Sequence, residues 1–157
     1  MNRQRFALLI STVAGVGYTP VAPGTFGALA GLGMGWFLLA QTGWPAWTLA
    51  VAAILVTPIA SWACGVVERD LGIEDPGFIV IDEVVGQWLA LALVRPERPL
   101  DWFIGLALFR LFDVWKPGPI HRLEKIPNGW GVVADDFAAG GCAMMTFAAI
   151  RALDGGF

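Results

Sequence analysis

From Phe6 to Val67 the chain reads FALLISTVAGVGYTPVAPGTFGALAGLGMGWFLLAQTGWPAWTLAVAAILVTPIASWACGVV, without one Asp, Glu, Lys, Arg or His. A water-soluble domain would have to expose part of such a run, so burial in lipid is the simpler account. The remainder agrees. Hydrophobic residues make up 57% of the 157 and charged residues 15%, with a mean hydropathy of +0.66. Soluble domains carry about 25% charged residues. Breaks rich in Pro and Gly at 20–24, 42–45, 75–77, 96–99 and 116–131 divide the chain. Between them the sequence predicts helices over 25–40, 46–67, 81–94, 100–114 and 135–151. The expected fold is all-α: one domain over 1–157, a polytopic membrane bundle of four to five short helices. Of these only 46–67 reaches the ~20 residues of a full span. Shorter segments can tilt, thin the bilayer or lie partly in its interface.

Working outward, Trp36, Trp44, Trp47, Trp88 and Trp102 flank or lie in apolar runs, as expected of indoles at membrane interfaces. Gly27, Gly31 and Gly35 recur every fourth residue, a smooth strip against which another helix can approach. Arg3 and Arg5 precede an apolar run as in a signal peptide. However, hydrophobicity continues without a convincing cleavage site, so this reads as mature sequence. Cys64 and Cys142 sit in apolar segments without metal-site spacing and read as buried thiols. A net charge of −3 and the lack of a basic face give no sign of a nucleic-acid partner.

With the N-terminus in the cytoplasm, five alternating segments put Arg3, Arg5, Arg69, Lys116, Arg122 and Lys125 inside. Arg95, Arg98 and Arg151 then fall outside, in keeping with the positive-inside bias. The same arrangement brings Pro23-Gly24-Thr25, Asp82-Glu83, Asp113 and Asp135-Asp136 to cytoplasmic helix ends.

Those carboxylates interrupt stretches that are otherwise apolar or glycine-rich. An ionised carboxylate taken out of water costs several kcal/mol unless something pairs with it. One shared divalent cation would meet that cost, and hard oxygen donors without Cys or a His cluster suit Mg²⁺ better than zinc. Asp82 and Glu83 are expected to open one helix, and Asp135 and Asp136 another. Neighbours on a helix point about 100° apart, so at most one of each pair is expected to aim directly at a common centre. Helix capping is the plainer explanation for such acids, but it fails for Asp113 near a helix end, where negative charge is unfavourable.

Arg110, Asp113 and Lys116 recur every third residue, on roughly one side of the 100–114 helix. They form either a local ion-pair ladder or a metal ligand flanked by two phosphate-binding cations; an apolar helix favours the second. Pro117 and Pro119 are expected to end that helix. In the turn at 18–27, Gly24 permits close backbone approach and Thr25 offers a hydroxyl, and a helix start can bind an anion.

Taken together, the motifs Pro-x-x-Pro-Gly-Thr-x-Gly (20–27), Ile-Val-Ile-Asp-Glu-x-x-Gly (79–86), Phe-Arg-x-Phe-Asp-x-Trp-Lys-Pro-x-Pro-Ile (109–120) and Gly-x-x-x-Asp-Asp-x-x-Ala-Gly (131–140) resemble the phosphatidylglycerophosphatase A family. The resemblance covers about 11–141, and four motifs in order at these spacings are specific. It implies a Mg²⁺-dependent lipid phosphatase of the bacterial inner membrane, facing the cytoplasm. Such an enzyme converts phosphatidylglycerophosphate to phosphatidylglycerol and inorganic phosphate. By resemblance, Asp82, Glu83, Asp113, Asp135 and Asp136 take the acidic positions as metal ligands, and Asp82, Glu83, Asp113 and Asp136 are the catalytic candidates. Gly24, Thr25, Arg110 and Lys116 are the phosphate-binding candidates. The family often has Ser after the glycine of its first motif, where Ala28 stands here, so no hydroxyl role is expected at 28. Asp70 and Asp75 also resemble family acids but lie in a polar loop and are expected to be solvated.

Other phosphatase chemistries lack their parts. Cys64 has no arginine six positions on, His121 is the only histidine, and there is no Asp-x-Asp pair. Metal-assisted hydrolysis remains, with water or an Asp as nucleophile. Two competitors are an ion-coupled transporter using intramembrane carboxylates and a CDP-alcohol-type transferase. For the second, Asp154-Gly155 does not supply the needed pattern.

Overall fold

Prolines and left-handed glycines set the helix boundaries in the computed structural model, which describes residues 2–118 and 120–153. Pro119 and the Asp154-Gly155 pair lie outside the described residues. In order come α1 (Arg3–Ser11), a single 3-10 turn (Val16–Tyr18), α2 (Pro23–Thr42), α3 (Trp47–Leu71), α4 (Ile81–Ala90), α5 (Pro99–Trp115), α6 (Ile120–Leu123) and α7 (Trp130–Leu153). No strand occurs among the described residues. Pro23 and Pro99 open α2 and α5, where a missing N–H costs nothing. Gly43 and Gly72 end α2 and α3 with φ of 66°, their N–H groups returning to Leu39 O (2.9 Å) and Glu68 O (2.8 Å). α2, α3 and α7 are long and apolar enough to cross a bilayer, so the chain is a helical membrane protein.

The short α4 is the axis of the bundle, packed against α2, α3, α5 and α7. Every residue of α4 except Glu83 and Trp88 is buried. The glycine strip on α2 lies directly on it: a Cβ at Gly27 would be 2.8 Å from Val80 Cβ, and one at Gly31 would be 3.0 Å from Val84 Cα. Beyond α4, Asp101 closes the turn into α5 by accepting from Arg95 Nε (2.7 Å), Nη2 (3.0 Å) and backbone N (3.0 Å).

Several sequence expectations are corrected. Among the described residues seven helices form, because α1 and α6 are helical pieces that the five-segment reading merged into flanking chain. α1 packs on α3, with Phe6 against Trp62 at a ring separation of 6.2 Å. α7 begins at Trp130 rather than at the acids, so Asp135 and Asp136 occupy its second turn. α5 ends at Trp115, and Lys116 turns left-handed at φ 43°, leaving the helix line it was expected to share with Arg110 and Asp113. Trp36, Trp44 and Trp47 are exposed as an interfacial belt requires. Trp88 and Trp102 instead face inward, donating to Gly31 O (2.9 Å) and Pro96 O (3.2 Å).

Candidate active site

Four helix ends meet at one place: the starts of α2, α4 and α7 and the end of α5. α4 contributes Asp82 and Glu83 from its first turn, and α7 contributes Asp136. One carboxylate oxygen from each lies within 4.8 Å of the others. Asp82 is 8% and Asp136 3% exposed. Asp82 Oδ1, Glu83 Oε2 and Asp136 Oδ2 are buried and accept no hydrogen bond from the described residues. Burial, then Glu83 and Asp136 beside it, push the Asp82 carboxyl well above the usual range; burial raises Glu83 too, against a hydrogen bond from Asp82. Asp113, nearby on α5, adds its repulsion to the burial that raises Glu83.

The close approach follows from small residues. A Cβ on Gly24 would lie 2.2 Å from Glu83 Oε1 and 3.3 Å from Arg110 Nη1, so the first motif's glycine is pressed against the acids. Arg110 Nη1 donates to Asp113 Oδ2, one turn along α5. Thr25 is half-buried in the first turn of α2. Its backbone N–H, like that of Phe26, turns back to Ala22 O (2.9 and 3.3 Å), so the start of α2 offers fewer free donors than the sequence suggested. Ala28 is fully buried with Ala90, Phe109 and Ala139, an apolar setting with no use for a hydroxyl.

Asp135 and Lys116 stand to one side. Lys116 Nζ donates to Asp135 Oδ2 (2.6 Å) and Glu124 Oε1 (2.5 Å). Burial lowers the Lys116 ammonium's proton affinity, but these two hydrogen bonds outweigh it and hold the pKa above its ordinary value. The same bond from Lys116 holds Glu124 below the usual carboxylate range. Glu124 also meets exposed His121 at 3.0 Å. Asp70 and Asp75 are exposed. The structure therefore gathers Asp82, Glu83 and Asp136, sets Asp113, Arg110 and Gly24 against them, and gives Asp135 a lysine partner. Two residues escaped the sequence reading. Glu124 looked like an ordinary loop acid, whereas Gln87, one turn beyond Glu83, was signalled by its polarity inside an apolar helix.

The three grouped acids fit a hard divalent ion. At ~2.1 Å from each oxygen, Mg²⁺ accepts ligand atoms up to about 4.2 Å apart, so a small inward shift of this group suffices.

Fold and site together define a helical membrane protein with a buried carboxylate cluster at one end of its bundle. A family model described as phosphatidylglycerophosphatase A matches residues 9–151, and the chain belongs to that family. A Bacteroides thetaiotaomicron protein, provisionally named a phosphatidylinositol-3-phosphatase, is 38% identical across 96% of this chain and 98% of its own. Phosphatidylglycerophosphatase A of Escherichia coli K12 is 34% identical, covering 84% of this chain and 76% of its own. The Haemophilus influenzae protein of the same name is 36% identical over 91% and 87%. No solved structure matches the chain.

Proposed function

We propose that this chain is a membrane phosphomonoesterase that hydrolyses phosphatidylglycerophosphate to phosphatidylglycerol and inorganic phosphate at the Asp82–Glu83–Asp136 cluster. The observation that carries the reading is the meeting of three carboxylates from two helices within 4.8 Å, beside Gly24 and Arg110. Family membership supports the reaction class, since the relatives' names all describe removal of phosphate from a lipid headgroup.

Asp82, Glu83 and Asp136 would hold Mg²⁺, with Asp113 beside them. Bound there, the ion would neutralise phosphate charge and lower the pKa of water. The protein's residues do the rest. Arg110, half-exposed and facing Gly24, offers a guanidinium to phosphate oxygens, and Asp113 fixes its orientation. Thr25 adds a hydroxyl donor. A carboxylate outside the ion's ligand set takes the proton from attacking water. Lys116 reaches phosphate only by exchanging one of its two carboxylate partners. Basic residues at the site end of the bundle support a cytoplasmic face for the site, in a bacterial inner membrane whose lipid would deliver the substrate.

An ion-coupled transporter would need acids near the bilayer midplane. These acids lie in the first two turns of α4 and α7. The test is phosphate release from phosphatidylglycerophosphate and, in parallel, from phosphatidylinositol-3-phosphate, by the chain purified in detergent. Release should stop with EDTA and return with Mg²⁺. Release that ignores EDTA removes the metal from this reading, and no release from either lipid overturns it.

A further inference from the structure

Gln87 is a fully buried polar side chain that the mechanism above leaves without a task. It is 0% exposed, and neither its Nε2 nor its Oε1 meets a hydrogen-bond partner among the described residues. A carboxamide carries two donors and an acceptor oxygen, and leaving all of them unmet inside an apolar bundle is strongly unfavourable. Such a group calls for an unseen partner, commonly an internal water.

Its position says what that partner serves. Gln87 follows Glu83 by four residues on α4, one turn deeper on the same face. Both lie on the glycine strip of α2: a Cβ at Gly27 would be 3.3 Å from Glu83 Cβ, and one at Gly31 would be 3.2 Å from Gln87 Cβ. The strip brings no α2 side chain between the two turns, so Glu83 and Gln87 are the polar side chains that face it there. Glu83 Oε2 and Asp82 Oδ1, at the upper end, are themselves buried without hydrogen-bond partners among the described residues. Mg²⁺ keeps several waters in most protein sites, and a water on the inner side of the acids needs an acceptor or donor from the bundle. Gln87, one turn from Glu83 on the same helix, carries both a donor and an acceptor that could meet such a water.

We propose that Gln87 is a positioning residue of the acid cluster, joined to it by an internal water, and that it sets how tightly the cluster holds a divalent cation. This rests on the cation reading above. Removing outer partners of metal ligands typically weakens metal affinity or activity about 10–100-fold, whereas a buried amide with only a packing role could be replaced by an apolar side chain of the same shape at little loss.

The probe is Mn²⁺ alone, titrated into the metal-free chain in detergent and followed by electron paramagnetic resonance. Gln87→Met keeps length and removes the amide; Gln87→Asn keeps the amide one methylene short. Met should weaken Mn²⁺ affinity about tenfold or more. It should lower kcat by a similar factor with KM unchanged, because Gln87 lies away from Gly24 and Thr25. Metal-free Gln87→Met should unfold at the wild-type temperature or above. Asn should fall between Met and wild type. Wild-type affinity and kcat in Gln87→Met overturn the proposal, as does an Asn variant no better than Met. If Met does not fold, an Asn variant with wild-type Mn²⁺ affinity overturns it just as well. A wild-type chain that binds no Mn²⁺ sinks the cation reading and this proposal together; wild-type binding matched by both variants sinks only the role of Gln87.

Discussion

Gly140 of α7 meets Gly86 of α4 so closely that a Cβ added at Gly140 would lie 2.2 Å from the Gly86 carbonyl oxygen and 3.0 Å from its Cα. Asp136 and Asp82 each stand four residues before one of these glycines. One helical turn therefore separates each carboxylate from the crossing point, and the crossing fixes the distance between the two acids. The glycines of the second and fourth motifs and the acids of the same motifs form one device.

Substituting Gly140 by Ala should accordingly damage stability and activity together. The new methyl would meet backbone, which cannot rotate away, and forced overpacking of this kind costs about 1–3 kcal/mol. Thermal unfolding in detergent should shift down, and phosphate release should fall with it. A Gly140→Ala chain with normal unfolding and normal turnover would show that α4 and α7 do not need this contact.

Gly24→Ala should behave differently. Its Cβ would collide with Glu83 Oε1, the end of a flexible side chain, and lie 3.3 Å from Arg110 Nη1. Glu83 can swing aside, so the unfolding temperature should stay near wild type while phosphate release drops at least tenfold. Equal loss of both would place Gly24 in the fold rather than the site.

Asp82→Asn and Asp136→Asn should each reduce phosphate release by at least about a hundredfold, as expected when a ligand of the reacting centre is lost. The stability effect should have the opposite sign. Without a cation, the wild-type chain buries carboxylates that repel one another, so removing one charge should leave the metal-free unfolding temperature unchanged or raised. A marked fall for both variants would mean that the acids are already compensated by something other than an ion.

Much of this was legible in the sequence because charge is so scarce in it. In an apolar chain each carboxylate is conspicuous, which is why Asp82, Glu83, Asp113 and Asp136 could be singled out before their helices were placed. The α2 glycine strip was equally plain, since its spacing of four is a direct statement about one helix face. The details that escaped depend on contacts between distant segments. The expectation that only one of Asp82 and Glu83 would face the centre rested on their 100° separation; Glu83 is long enough to reach around. The position of Asp135 depends on Lys116 leaving α5 at φ 43°, a backbone choice that no periodicity announces. α7 starts five residues before its acids because Gly131 nests against Glu124 O, where a Cβ would come within 2.4 Å.

Lys116, Asp135 and Glu124 yield the last test. Asp135 is 3% exposed, and Lys116 is its cation. Lys116→Met should leave that carboxylate buried and unpaired, a loss of about 3 kcal/mol, and Lys116→Met combined with Asp135→Asn should recover most of it. Glu124 adds a pH signature. Its carboxyl is held below the ordinary value of 4.5 by Lys116, so its contribution is present above that value and disappears as pH falls through the lower, folded-state pKa. The difference in unfolding temperature between wild type and Glu124→Gln should therefore be constant at and above neutral pH and shrink below about pH 4. Lys116 behaves in the opposite sense: its raised pKa means its contribution persists through neutral pH and is lost only in strong alkali. A Glu124→Gln difference that grows on acidification would break the assignment of this network.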